Sequence, residues 1–234
     1  MNDQLIGFFY EKIGYIAAYS SYLILVAFFI NPSKIKLPPF YFFFINTVMS
    51  IIFDSIALIL HNENLNSYFN FILPFYAINN VLFIGLFLCY YLENKINKYT
   101  QYSTFLISII ILIVYQINGY LSWSTWGSLI QSFTMITYLI LTLRSLSIST
   151  IKIHTKKSVF IIASGLLLAY SVSLLLNMFF KSLMEESEKM SHLFYGIKNV
   201  FWIISNLLSA YAIHKVVIKP TSSPMPSPPL PKLN

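Results

Sequence analysis

The sequence predicts an all-α integral membrane protein, a seven-transmembrane-helix bundle with its N-terminus outside and its C-terminus cytoplasmic. Three observations lead there. The 234 residues are 57% apolar and 18% aromatic but only 10% charged, where an ordinary soluble domain carries roughly 25% charged residues. So few charges cannot cover a water-facing surface, which excludes a soluble globule and a disordered chain alike. The apolar runs mostly approach or exceed the roughly 20 residues that an α-helix needs to cross the hydrocarbon layer. The cations, finally, gather in alternate connections.

Seven spans follow in order, at about 6–30, 38–60, 68–91, 102–118, 124–143, 159–181 and 193–214. Transmembrane strands would alternate apolar and polar residues over ten-residue segments, a pattern absent here. The first span is preceded by Met1-Asn2-Asp3-Gln4, without Lys or Arg, so it is expected to stay as a helix and not to be cleaved as a signal peptide. Pro32, Pro38 and Pro39 punctuate the first connection, because proline supplies no N–H and interrupts helical continuity. Asn118-Gly119 predicts a tight turn between spans four and five, and span four is the shortest. From Lys219 onward six of sixteen residues are proline, a composition that favours a disordered, extended tail over a core. The chain thus divides into a membrane domain, 1–218, and a proline-rich tail, 219–234.

Orientation rests on charge. Lys34, Lys36, Lys95, Lys98, Arg144, Lys152, Lys156, Lys157, Lys215, Lys219 and Lys232 all fall on one side of the seven-span arrangement, eleven of the fifteen cations. The opposite connections hold His61-Asn62-Glu63-Asn64, an uncharged turn at 118–123, and Glu185-Glu186-Ser187-Glu188. Positive residues stay cytoplasmic during insertion. The net charge of +7 therefore reads as a topology signal with some attraction to anionic membrane lipids. Nucleic acid is not an expected partner, because the cations are spread over four short segments. Tyr68, Tyr120, Trp123 and Trp126 on the outer side, and Tyr90 and Tyr91 on the inner, are placed as interfacial belts. Ala17, Ala18, Ser20 and Ser21 in span one would allow close helix approach.

Charges at membrane depth are costly, by about 2.5–3.5 kcal/mol each on insertion scales, so their positions carry information. Glu11 and Lys12 in span one, Asp54 in span two and Lys198 in span seven each lie five or six residues from the outer end. At 1.5 Å per residue this is roughly 8–9 Å below the boundary. Asn177 in span six has similar depth, and Gln116 and Gln131 lie on the outer parts of spans four and five. Periodicity adds three stripes. They are Tyr195, Asn199, Trp202, Asn206 and Ser209 on span seven, Tyr170, Ser173, Asn177 and Lys181 on span six, and Glu11, Tyr15, Tyr19 and Tyr22 on span one. Asn79 and Asn80 sit near the middle of span three, as a pocket floor or as interhelical hydrogen-bonding groups. Lys198 has a second reading, snorkelling outward. Asp54 is too short for that, and a neutral carboxyl or an ion pair with Lys198 or Lys12 would relieve it.

The reading that follows is a receptor-like sensory module in the plasma membrane, of bacterial inner-membrane type. An outward pocket of Glu11, Asp54, Asn177, Lys198, Asn199 and Trp202 would take a small polar or amphipathic ligand, and a separate cytoplasmic signalling protein would receive the output. The alternatives are a transporter or channel, a lipid-acting membrane enzyme, or a structural subunit. No HExxH, GxSxG, P-loop or dinucleotide fingerprint occurs, so no catalytic residue is assigned. The single Cys89 excludes an intramolecular disulfide, and the four histidines are scattered, so neither metal nor cofactor is expected. A lysine in the last span invites comparison with the Schiff-base lysine of retinal-binding rhodopsins. Lys198 is too near the outer end for that role, and span three has no Asp or Glu within the membrane.

Overall fold

The computed structural model describes residues 3–62, 66–92, 94–118, 125–148, 153–186 and 188–215. Among these the chain is entirely helical. Helix α1 is Asp3–Ile30, followed by a 3-10 turn at Pro32–Lys34, and α2 is Pro38–Asn62. Helix α3 runs through Asn66–Asn79, a π-helical turn at Asn80–Ile84, and Gly85–Cys89. Helix α4 is Asn94–Asn118, α5 is Thr125–Ile148, α6 is Ile153–Glu186 and α7 is Glu188–Lys215. Six of the seven are long and apolar enough to cross a membrane, and α7 is long enough but more polar. The bundle accordingly exposes apolar side chains around its flanks, such as Val26, Phe29, Ile109, Phe133 and Leu175. Water does not accommodate such a surface, whereas hydrocarbon does.

The helices outrun the expected spans. Helix α4 starts at Asn94 instead of near 102, α5 ends at Ile148 instead of near 143, and α6 covers Ile153–Glu186 instead of 159–181. Polar turns continue the helices beyond their apolar stretches, as where the Gln101 amide donates to Asn97 Oδ1 at 2.7 Å on the exposed start of α4. Apolar length marks the hydrocarbon segment, not the helix end.

The helices close into a ring in sequence order. Helix α1 packs between α2 and α7, α7 packs on α6, and α6 on α5, while α3 and α4 complete the circuit and α3 also reaches α5. Small residues set the closest approaches. A Cβ on Gly165 in α6 would lie 3.4 Å from the Ser205 Cα and 3.3 Å from Leu208 Cδ1 in α7. Helix α1 turns Gly14, Ala17, Ala18 and Ser21 inward. This corrects the stripe expected on α1: Tyr19 and Tyr22 are exposed on the outer wall, with the Tyr22 hydroxyl 3.1 Å from Ser55 Oγ. Tight helix packing favours the small face over the aromatic one, and lipid tolerates tyrosine.

The end of the bundle at the α1–α2 connection is solidly packed. Phe28, Phe40, Phe43 and Phe87 are at most 2% exposed. The Phe43 and Phe87 rings are 5.1 Å apart, with Phe40 at 5.8 Å and Tyr91 at 5.8 Å from Phe87. Tyr91, expected in the interfacial belt, is therefore core, whereas Tyr90 and Trp126 are exposed. The Tyr68 side chain, Tyr120, Trp123, the 119–123 part of the turn between spans four and five, and the proline-rich tail lie outside what is described. Lys34, counted above only as a topology charge, is buried as well. Its Nζ donates to Ser158 Oγ and to the Ala212 carbonyl, each at 3.0 Å, while Asn31 Nδ2 donates to the carbonyls of Ile213 at 3.2 Å and His214 at 2.8 Å. The last carbonyls of a helix have no intrahelical partner. Those of α7 are satisfied by the α1–α2 connection, with a cation at the negative end of the helix dipole.

Candidate functional site

Above the aromatic plug, the half of the bundle that holds the N-terminal end of α1 encloses a cavity of about 320 Å³ lined by all seven helices. Its lining stops at Ile24 on α1, Phe43 on α2, Ile84 on α3 and Asn206 on α7, where the packed core begins. On α2, Asn46, Ser50 and Asp54 line it at four-residue intervals, the spacing of one helical face. On α6 the face is Tyr170, Ser173 and Asn177, and on α7 it is Tyr195, Lys198, Asn199, Trp202 and Asn206.

Five of the six residues proposed from the sequence thus share one cavity wall system: Asp54, Asn177, Lys198, Asn199 and Trp202. The sixth, Glu11, falls on α1, and its side chain lies outside the described residues. Asp54 and Lys198 do not form the ion pair considered above. The Lys198 ammonium stands 5.4 Å from the centroid of the Tyr195 ring, and Lys12 stands 5.8 Å from that of Tyr15. Sequence reasoning overlooked Asn46, Ser50 and Tyr76, which also line the cavity; the four-residue spacing to Asp54 on α2 was the available signal.

Hydrogen bonds fix the walls. Trp202 Nε1 donates to Ser173 Oγ at 3.3 Å, and the indole meets the Tyr170 ring edge-on at 5.1 Å. Asn206 Nδ2 donates to Ser20 Oγ at 2.8 Å, tying α7 to α1. In α3 the two adjacent asparagines divide their tasks. Asn79 Nδ2 donates to Asn46 Oδ1 at 3.0 Å, an interhelical bond, whereas Asn80 lines the cavity. The π-helical turn starts at Asn80, six residues after Pro74, which lacks a backbone donor inside the helix. Widened turns of this kind recur at functional sites. The Asn80 amide nitrogen is buried without a hydrogen-bond partner among the described residues.

The described residues hold no group of three or more His, Cys, Asp or Glu suited to a metal ion. The cavity can enclose and hydrogen-bond a small molecule. No family model, curated protein or solved structure matches the chain.

Proposed function

We propose that the chain is a receptor-like membrane module of seven spans, N-terminus outside, whose cavity binds a small ligand from the outer side of the plasma membrane, of bacterial inner-membrane type. The observation that carries this reading is a polar cavity closed at one end by an aromatic plug. Pockets for small molecules are concave, mostly apolar and furnished with a few convergent polar groups, and this one has Asp54, Lys198, Asn177 and Asn80 among aromatic walls. The more polar character of α7 supports its place as a seventh span: its polar face lies on the cavity and against α1 instead of on the outer wall.

A transport pathway would need polar groups continuing to the other side. Phe28, Phe40, Phe43 and Phe87 fill that region instead, which favours sensing over passage. The output runs through α7, which lines the cavity with Lys198 and Trp202 and ends in the grip of Asn31 and Lys34. A ligand that prefers one packing of α1 against α7 would shift that junction and present a changed cytoplasmic face to a signalling partner.

Native mass spectrometry of protein purified from its own membranes tests this. The wild type should carry a small molecule, and Ala17→Phe, which fills the cavity, should not. A wild type that retains nothing, or that carries the bound compound across proteoliposomes, overturns the reading.

A further inference from the structure

We propose that the cavity is built for a small zwitterion, one molecule with an amine and an acid on an apolar or aromatic body. This rests on the ligand-pocket reading above and narrows it. Among the described residues that line the cavity, only Asp54 and Lys198 are charged. They belong to α2 and α7, with α1 between the two helices in the ring, and no ion pair joins them among the described residues. The Lys198 ammonium faces the Tyr195 ring at 5.4 Å, which offsets only part of its lost hydration. A counter-charge stabilises each of two opposite charges held apart at one low-dielectric cavity. An amine alone would satisfy Asp54 and leave Lys198 bare, and an acid alone would do the reverse. A molecule carrying both groups satisfies both walls and adds no net charge.

The remaining wall chemistry fits the body of such a molecule. Phe53, Tyr76, Tyr170 and Trp202 supply apolar and aromatic faces. The partnerless Asn80 amide nitrogen adds a donor for an oxygen of the ligand. A cavity of about 320 Å³ lies at the small end of ligand pockets, the size class of a free amino acid. A phosphatidylethanolamine headgroup offers the same ammonium-and-acid chemistry, and the source is separable by experiment.

Protein in maltoside detergent is titrated with L-phenylalanine, phenethylamine, 3-phenylpropionate and indole, and separately exchanged into nanodiscs with or without phosphatidylethanolamine. The readouts are thermal unfolding and the emission of Trp202, isolated in a variant with Trp123 and Trp126 replaced by Phe. L-phenylalanine should raise the melting temperature and bind at least tenfold tighter than either single-charge analogue. In Asp54→Asn, 3-phenylpropionate should bind within about threefold of L-phenylalanine; in Lys198→Met, phenethylamine should. Stabilisation by phosphatidylethanolamine alone supports the same charge recognition with a lipid source. Equal binding of a single-charge analogue or of indole overturns the zwitterion while leaving the pocket reading intact. No response to any of these probes overturns the zwitterion, and the mass-spectrometric result then decides the pocket separately. The wild-type analogue series stands even if a variant fails to fold.

Discussion

Lys34 ties the stability of this bundle to pH in a direction that can be worked out. Its side chain is 2% exposed and donates to Ser158 Oγ and the Ala212 carbonyl. Burial lowers its pKa from 10.5 to about 8. At 1.36 kcal/mol per pH unit, that drop corresponds to about 3 kcal/mol. Below pH 8 the ammonium is charged in the folded and the unfolded chain, and the folded protein bears the whole desolvation cost. Between pH 8 and 10.5 the folded form has released a proton that the unfolded form still binds, so stability rises with pH. Above 10.5 both forms are neutral and the gain is complete. The wild type should therefore gain about 3 kcal/mol relative to Lys34→Met between pH 7 and 10.5, or about 6–12 °C in melting temperature for a chain of this size. Comparison with Lys34→Met removes the tyrosines and other lysines that titrate in both proteins.

At pH 7 the variant loses two hydrogen bonds, roughly 1 kcal/mol each, but is relieved of the buried charge. Ser158 Oγ still donates to the Ala212 carbonyl at 3.0 Å, so that acceptor keeps a partner. Lys34→Met should then lie within about 1 kcal/mol of the wild type, followed by thermal unfolding in detergent. Parallel stability–pH profiles for the two proteins would mean that water reaches the ammonium, and the argument would be wrong.

Phe87→Ala opens the centre of the aromatic plug, where Phe40, Phe43 and Tyr91 meet it, and should cost about 3–5 kcal/mol in the same assay. Gly165→Leu drives a side chain into the Ser205 backbone and Leu208, separating α6 from α7. A loss of about 1–3 kcal/mol is expected, with Gly165→Ala losing less. Asn79→Leu strips the 3.0 Å donor from the Asn46 side-chain oxygen Oδ1 and should lower stability by about 1–3 kcal/mol.

The all-helical, largely apolar architecture and the shared faces of Tyr170, Ser173 and Asn177 on α6 and of Tyr195, Asn199 and Trp202 on α7 were legible because helical periodicity and the cost of polar groups in hydrocarbon act within a single span. The aromatic stripe on α1 misled for a related reason. Periodicity places residues on one face but does not say which face turns inward, and on α1 the small residues Gly14, Ala17 and Ala18 take that side. The burial of Tyr91 and Lys34 was equally hidden, since both sit where interfacial residues belong and are covered by other parts of the chain.

The sequence by itself determined that the chain is helical and apolar enough for a membrane, because composition and run length are local properties. Only the tertiary structure decided that Asp54, Asn177 and Lys198, more than a hundred residues apart at the extremes, border one cavity, and that the α1–α2 connection caps the end of α7. Neighbours around a ring are chosen by the fit of whole helix surfaces and by the pairing of backbone groups at their ends, neither of which a single span encodes.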